Sequence, residues 1–206
     1  MKRQIKKKEK KNTKALSILK KSIGTFFLVL FVLVFLSLID IALVTKADSG
    51  PIFAIKTKEY ANKSKEYYGL FYKVIKYQEE GGRYDTVLGN WSLKYEDTPI
   101  KIELFDFAVE YIDNNKNTYD AFYNKYILLT EKITYIDNKN KIIRFEYKDP
   151  DNKYTFAMDV YMQNKNIDLS SYKEEDKITV VGTIKGFKDK NKQNPNLVVV
   201  RNAFIK

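Results

Sequence analysis

The residues best suited to chemistry lie along two predicted strands in the C-terminal half of the chain. Between residues 141 and 162, aromatic side chains alternate with arginine and lysine, a combination that holds a ligand by stacking and charge. This interleaving predicts a binding face made of Arg144, Tyr147, Tyr154 and Tyr161. The alternative interpretation is that Phe145 and Phe156 belong to the core and that the tyrosines are half-exposed strand residues.

The composition excludes several kinds of catalytic and metal site. The chain contains no cysteine and no histidine, which rules out disulfides, thiolate nucleophiles, Cys- or His-ligated zinc and a Ser-His-Asp triad. Paired carboxylates such as Glu79/Glu80 lie in predicted turns, where they usually face solvent. Asp149-Pro-Asp-Asn152 lacks the ligand pattern of a calcium loop and predicts a turn. We therefore expect no catalytic activity, no metal and no cofactor.

A long apolar segment near the N-terminus predicts a membrane anchor. Residues 23–44 read IGTFFLVLFVLVFLSLIDIALV, with one charged residue among 22. As a helix they span about 33 Å, and a hydrocarbon core is about 30 Å thick. A cleaved signal peptide is the alternative, but its apolar region is usually about 7–15 residues long. The nearest cleavage motif, Thr45-Lys46-Ala47, is also interrupted by a lysine. We predict an uncleaved, single-pass transmembrane helix.

The positive charge of the chain is concentrated before this helix. The basic tail, residues 1–22, carries ten Lys or Arg and one Glu, whereas residues 45–206 carry 27 Lys or Arg and 24 Asp or Glu. Basic residues beside a span favour the cytoplasmic side, which predicts a cytoplasmic N-terminus and an extracytoplasmic C-terminal part at the cell membrane. Asp40 lies four residues before the end of the span at Val44, so we expect it to reach the aqueous interface. A proton path or a helix contact is the alternative for Asp40.

The section 45–115 predicts a small β unit. Aromatic and β-branched residues indicate strands at 66–77 and 86–95, with Trp91 on a buried face and a glycine turn between them. The order of an anchor, Pro51-Ile-Phe-Ala-Ile55, the strand 67–77 and Gly89-x-Trp91 resembles a group of short uncharacterised membrane-anchored proteins from low-GC Gram-positive bacteria. That resemblance implies no activity.

The section 116–206 predicts a five-stranded barrel. One or two helical turns at 120–126 precede five strands, and the longest connection lies between the third and the fourth. The strands are predicted at 127–136, 142–147, 154–162, 177–187 and 197–205. This is the order of an OB-fold. Residues 170–184, with Gly182 in mid-strand, are similar to the tRNA anticodon-binding-like group of bacterial OB domains, which implies the fold rather than a function.

Together these patterns predict a membrane-anchored extracytoplasmic binding or assembly module of the cell envelope. Its expected partners are the lipid bilayer and a protein or cell-wall component. A nucleic-acid-binding OB-fold protein is one alternative, although the small net charge of residues 45–206 disfavours it. A carboxylate-dependent envelope enzyme is the other alternative.

Overall fold

The computed structural model describes residues 2–47, 49–79, 82–149, 155–188 and 196–206. In this part the chain forms one long helix, a four-stranded sheet, and a seven-stranded sheet accompanied by two short helices. The long helix α1 (Lys2–Ala47) contains a stretch, Lys20–Lys46, that is long and apolar enough to cross a membrane. The predicted span at residues 23–44 lies inside this stretch.

The apolar stretch of α1 is suited to a hydrocarbon environment. It contains no proline, and its hydroxyl side chains bond within the helix: Ser37 donates to the Leu33 carbonyl at 2.9 Å and Thr45 to the Ile41 carbonyl at 2.7 Å. Most large apolar side chains in this stretch are exposed, among them Phe26, Leu28, Phe31, Phe35 and Leu38. A helix that faces lipid needs its polar groups hydrogen-bonded within the protein and its exterior apolar, and this stretch has both properties.

Asp40 joins α1 to the segment that follows it. Its carboxylate is fully buried and accepts the backbone N–H groups of residues 52–54 at 2.6–3.1 Å. It also accepts the Tyr72 hydroxyl at 2.5 Å. The expectation that Asp40 reaches water is wrong, because the chain folds back beyond α1 and brings these donors to the carboxylate.

The four-stranded sheet is an antiparallel meander that packs on the end of α1. Its strands are β1 (Ile55–Glu59), β2 (Lys65–Tyr68), β3 (Lys73–Lys76) and β4 (Thr86–Gly89). Val44 of α1 lies in a small apolar cluster with Tyr72 and Val74, against which Ile41 and Leu88 also pack. The sheet therefore covers one side of the last turns of the helix.

Two features of this sheet differ from the sequence prediction. The strand predicted at 66–77 is a hairpin, since the Gly69 N–H donates to the Tyr72 carbonyl at 2.9 Å and reverses the chain between β2 and β3. A Cβ at Gly69 would overlap the Tyr72 ring, so this turn depends on glycine. Trp91 is 56% exposed rather than buried, because β4 ends at Gly89 and an Asn90 turn carries Trp91 outward.

The seven-stranded sheet has the order β5-β6-β10-β11-β9-β8-β7. Its strands are β5 (Ile100–Ile102), β6 (Tyr126–Lys132), β7 (Tyr135–Asp137), β8 (Ile142–Lys148), β9 (Thr155–Met162), β10 (Lys177–Lys188) and β11 (Asn196–Ile205). The β5–β6 and β9–β11 pairs are parallel, and the other neighbours are antiparallel. The mainly β architecture predicted after the helix is confirmed.

The described strands do not close into a barrel. Strand β6 pairs with β10 while β7 pairs with β8 at the far edge of the sheet, yet only Ile133 and Thr134 separate β6 from β7. The single strand predicted at 127–136 is thus two strands in the structure: β6 lies beside β10, and β7 lies at the far edge beyond β8.

Two helices accompany the seven-stranded sheet. Helix α2 (Leu104–Asp113) buries Leu104, Phe107, Ala108 and Tyr111 in the main core with residues such as Phe145 and Phe156. Helix α3 (Asn115–Phe122) begins five residues before the helical turns predicted at 120–126 and overlaps them only over 120–122, because Tyr126 already begins β6. Strand β5 and helix α2, which precede residue 115, thus pack with the seven-stranded sheet.

Candidate ligand-binding cleft

A cleft of about 520 Å³ opens beside the last turn of α1. Its walls come from the helix end, from β4 of the smaller sheet, from residues 123–124, and from β9, β10 and β11 of the larger sheet. Val44, Thr45 and Lys46 form the helix side of the cleft. The cleft therefore lies where both sheets meet the C-terminal end of the candidate membrane span.

Four cationic side chains line this cleft. Lys46, Lys165 and Arg201 are exposed, whereas the Lys185 side chain is 16% exposed. The described lining residues include no carboxylate. A concave site with several cations and no lining anion concentrates positive potential and favours an anionic ligand.

Lys185 is held in place by three neighbours. Its Nζ donates to the Thr86 carbonyl at 3.0 Å and to Asn124 Oδ1 at 3.1 Å. It also lies 3.0 Å from Asp85 Oδ2, an ion-pair contact that is the only partner of this buried oxygen atom among the described residues. Lys185 thus joins β10 of the larger sheet to β4 and the residue before it.

A buried arginine completes this connection between the two sheets. Arg83 Nε donates to Asp85 Oδ1 at 2.8 Å, Nη2 donates to the Asn124 carbonyl at 2.9 Å, and Nη1 donates to the Glu96 carbonyl. The guanidinium lies 3.8 Å from the centre of the Tyr77 ring. Burial raises the pKa of Tyr77 to about 12, so its ring remains uncharged beneath the arginine. Because every one of these groups is engaged, the network gives the cleft a rigid base.

The opposite wall is shaped by an irregularity in β11. The pairing of β11 with β9 shifts between Val200 and Ala203, and Asn202 adopts a left-handed φ of 54°. Such a bulge redirects side chains at the edge of a site. Here Arg201 lies on the cleft with its guanidinium 5.6 Å from the centre of the Tyr161 ring.

Tyr123 supplies a neutral hydrogen-bond donor to the same cleft. Burial, and then the neighbouring Tyr119, raise the pKa of Tyr123 above its ordinary value. The hydroxyl therefore stays protonated at neutral pH and can donate to an anion. Tyr123, Lys46, Lys165 and Arg201 can therefore donate hydrogen bonds to a ligand in the cleft, whereas Lys185 contributes mainly its charge because its N–H groups face three protein partners.

The structure places the four predicted binding residues in different surroundings. Tyr161 lines the cleft, and Tyr154 lies outside the described residues. Arg144 is on the same face of the sheet as Tyr161, but it makes a bidentate ion pair with Asp159 at 2.6 and 3.1 Å, which raises its pKa. Tyr147 is on the core face, with its ring 5.3 Å from that of Phe105. Arg144, Tyr147 and Tyr161 therefore do not form one continuous face.

Sequence reasoning missed the cations of the cleft. Lys46 ends the apolar segment, Lys165 lies in a polar connection, and Lys185 and Arg201 are single charges within strands. They come from four elements spread over most of the chain, and no motif joins them. Lys46, Lys185 and Arg201 share one signal, an isolated cation in or beside an apolar run, whereas Lys165 has none.

The carboxyl groups do not form a second site of comparable character. No group of three or more acidic side chains able to hold a metal ion occurs in the described part of the chain. The pKa values of Glu59, Glu103, Asp137 and Asp168 are lowered by hydrogen bonds from neighbouring side chains or backbone groups. A lowered pKa keeps a carboxylate ionised, whereas a general acid needs a raised one.

Comparisons with known proteins add no family or relative to this description. The chain matches no protein-family model, no curated protein and no solved structure.

Proposed function

We propose that this protein is a single-pass, membrane-anchored extracytoplasmic binding module of the cell envelope, without catalytic activity, whose cleft takes a phosphate-bearing anion at the membrane surface. The observation that carries the proposal is the cluster of Lys46, Lys165, Lys185 and Arg201 around one cleft with no lining carboxylate among the described residues.

The position of the cleft supports a ligand at the membrane surface. Lys46 is the last residue of the apolar stretch that can span a membrane, and it is also a wall of the cleft. The basic tail before α1 favours a cytoplasmic N-terminus, which places the cleft on the outer side. A phosphate on a lipid headgroup and a phosphate on a soluble envelope polymer both fit this chemistry.

The architecture also supports an OB-like arrangement of β6–β11. Residues 126–137 pair with β10 through β6 and with β8 through β7. One bent strand would therefore connect the two sides of the sheet, as in a five-stranded, partly open barrel. The bend is hydrogen-bonded, since the Ile133 N–H donates to the Asp176 carbonyl at 3.0 Å and the Thr134 N–H to the Arg144 carbonyl at 2.9 Å.

Amide hydrogen exchange on the full chain tests the OB-like arrangement. If one strand runs through the bend, the amides of Ile133 and Thr134 exchange as slowly as those of β6. Exchange of these two amides at the rate of exposed turns such as 138–140 would contradict the proposal.

Binding of a polyanion to the full chain in nanodiscs tests the ligand class. Polyphosphate is titrated calorimetrically into wild type, into Lys165→Gln/Arg201→Gln, and into Lys101→Gln/Lys132→Gln. The last variant removes two exposed cations outside the cleft, each from a surface ion pair. We expect the cleft variant to lose about tenfold or more in affinity, because charge-assisted hydrogen bonds are removed. The matched control should stay within about twofold of wild type.

The lipid of the nanodisc distinguishes the two sources of phosphate. If a headgroup phosphate occupies the cleft, polyphosphate binds more weakly in nanodiscs with phosphatidylglycerol than in nanodiscs with an equal fraction of an anionic lipid that has no phosphate. If a soluble polymer is the ligand, these two lipids of equal charge give the same affinity. Equal binding by the cleft variant and the control, or no binding by wild type, would overturn the proposed ligand class.

A further inference from the structure

Four large apolar side chains are exposed together at one end of the smaller sheet. Ile52 is 67%, Phe53 48%, Phe71 67% and Trp91 56% exposed. We call these residues the apolar tip. At one end of the sheet, Ile55, Tyr68, Lys73 and Gly89 are paired side by side, one on each strand. The apolar tip lies just beyond this row, before β1, between β2 and β3, and after β4.

Asp40 fixes the apolar tip beside the helix. The Ile52 and Phe53 N–H groups bond to the Asp40 carboxylate, and Phe71 precedes Tyr72, whose hydroxyl bonds to the same carboxylate. Trp91 is joined to the tip because its Nε1 donates to the Gly69 carbonyl at 3.2 Å. All four residues are therefore close to the level of Asp40 along α1.

That level is deeper in the bilayer than the end of the span. Lys46 lies six residues beyond Asp40, which corresponds to about 9 Å along a helix axis. The sheet is oriented accordingly: Thr86, at one end of β4, lines the cleft with Lys46, whereas the opposite end of β4 leads to the tip at the level of Asp40. The apolar tip thus points from the aqueous side toward the membrane interior.

We infer that the apolar tip inserts into the outer leaflet as a second membrane contact beside the helix. This inference rests on the proposed membrane insertion of α1, and it does not depend on the ligand of the cleft. The bilayer is the occupant indicated by the geometry, because Asp40 joins the tip to a helix that reaches the same leaflet. Tryptophan is also the residue most typical of the boundary between headgroups and hydrocarbon, where its ring is amphipathic.

Trp91 is the only tryptophan of the chain and therefore reports its own depth. The full chain is reconstituted in vesicles of phosphatidylcholine brominated high on the acyl chain, and its fluorescence is compared with that in unbrominated vesicles. We expect strong quenching by the brominated lipid, weak quenching by aqueous iodide, and an emission maximum at shorter wavelength than for an exposed tryptophan.

A matched control moves the tryptophan away from the tip. The variant Trp91→Phe/Tyr135→Trp places it on β7, where Tyr135 is 47% exposed at an edge of the larger sheet. We expect this variant to be quenched by iodide and not by brominated lipid. A second variant, Phe71→Asp, keeps Trp91 but adds a charge to the tip, and should lower quenching by the brominated lipid about twofold or more.

An independent reporter separates failure of this inference from failure of the anchor. Since the chain has no cysteine, Leu33→Cys carries a single environment-sensitive label at mid-span. If brominated lipid quenches the label at residue 33 but Trp91 is quenched only by iodide, the apolar tip lies in water. That result would overturn the inference about the tip and would leave the membrane insertion of α1 supported. If neither reporter is quenched by lipid, α1 is not inserted and both proposals fall.

Discussion

Tyr72 donates its phenolic hydrogen to Asp40 Oδ2 over 2.5 Å and joins β3 to the long helix across 32 residues. Burial, and then the hydrogen bond to Asp40, raise the pKa of Tyr72, so the donor stays protonated throughout the physiological range. The same carboxylate accepts three backbone N–H groups. One aspartate therefore determines where the smaller sheet sits on the helix.

Replacement of Asp40 by asparagine should detach this junction. The amide retains one acceptor and presents donors to the backbone N–H groups of residues 52–54, so we expect a loss of about 3 kcal/mol. Tyr72→Phe removes one hydrogen bond and should cost about 1 kcal/mol. Hydrogen exchange of the amides of 52–54 in the full chain measures both effects. Equal protection in Asp40→Asn and wild type would contradict this role.

The ion pairs of Asp85 predict a second large effect. Asp85→Ala leaves two cations, Arg83 and Lys185, without their buried partner, which should destabilise the fold by about 3–5 kcal/mol. Glu59→Ala breaks an exposed ion pair with Lys56, which solvent screens, and should leave the midpoint of unfolding nearly unchanged. Urea unfolding of the detergent-solubilised chain, followed by circular dichroism, compares the two. Similar midpoints would show that the network contributes little.

The Glu66–Lys73 pair predicts a pH dependence of the smaller sheet. Burial alone would raise the pKa of Glu66, but hydrogen bonds from Lys73 at 2.8 Å and Tyr60 at 2.8 Å outweigh it and lower the pKa. Its contribution to stability is full above 4.5, the ordinary pKa of this group, and is lost as the pH falls through the lowered folded value. Urea unfolding followed by Trp91 fluorescence should therefore show that wild type is more stable than Glu66→Gln near neutral pH. This difference in stability should vanish in acid. A constant difference across the range would contradict the assignment.

Replacement by alanine should destabilise the fold at one glycine of β10 and have little effect at another. A Cβ at Gly182 would lie 2.6 Å from Val200 Cγ1 and 3.0 Å from Ala203 Cβ, inside the bulged part of β11. At Gly186 the nearest atom, Val199 Cβ, is 3.5 Å away, an ordinary contact. We expect Gly182→Ala to cost about 1–3 kcal/mol and Gly186→Ala to be close to neutral. Thermal unfolding of both variants tests the contrast.

The strands of the C-terminal half were the most accessible to prediction, because their alternation of apolar and polar residues is strong. In the described β10, Ile178, Val180 and Ile184 are buried, as the period of two requires, but Val181 and Thr183 on the opposite face are buried too. Helix α2 was missed although Leu104, Phe107, Ala108 and Tyr111 have helical spacing. The turn at Gly69 was not predicted, because the aromatic and β-branched residues around it favour a continuous strand.

The cleft could not be predicted from sequence patterns, for a different reason. Its cations become neighbours only through pairings of distant segments, such as Lys185 with Asp85. Asp40 is similar: its burial depends on where residues 52–54 return, which no local preference specifies. Hydrophobic periodicity predicts elements well, whereas polar contacts between elements depend on the final packing.

Because the chain is synthesised from its N-terminus, these contacts can form in a fixed order. The junction at Asp40 and the four-stranded sheet involve residues 40–89, so they can form while the rest of the chain is still emerging. The cleft forms later, because one of its walls contains Arg201 of β11, the last strand in the described part of the chain. A nascent chain halted before β11 would thus carry a finished four-stranded sheet but only part of the cleft, so the cleft depends on the pairing of β11 with β9 and β10.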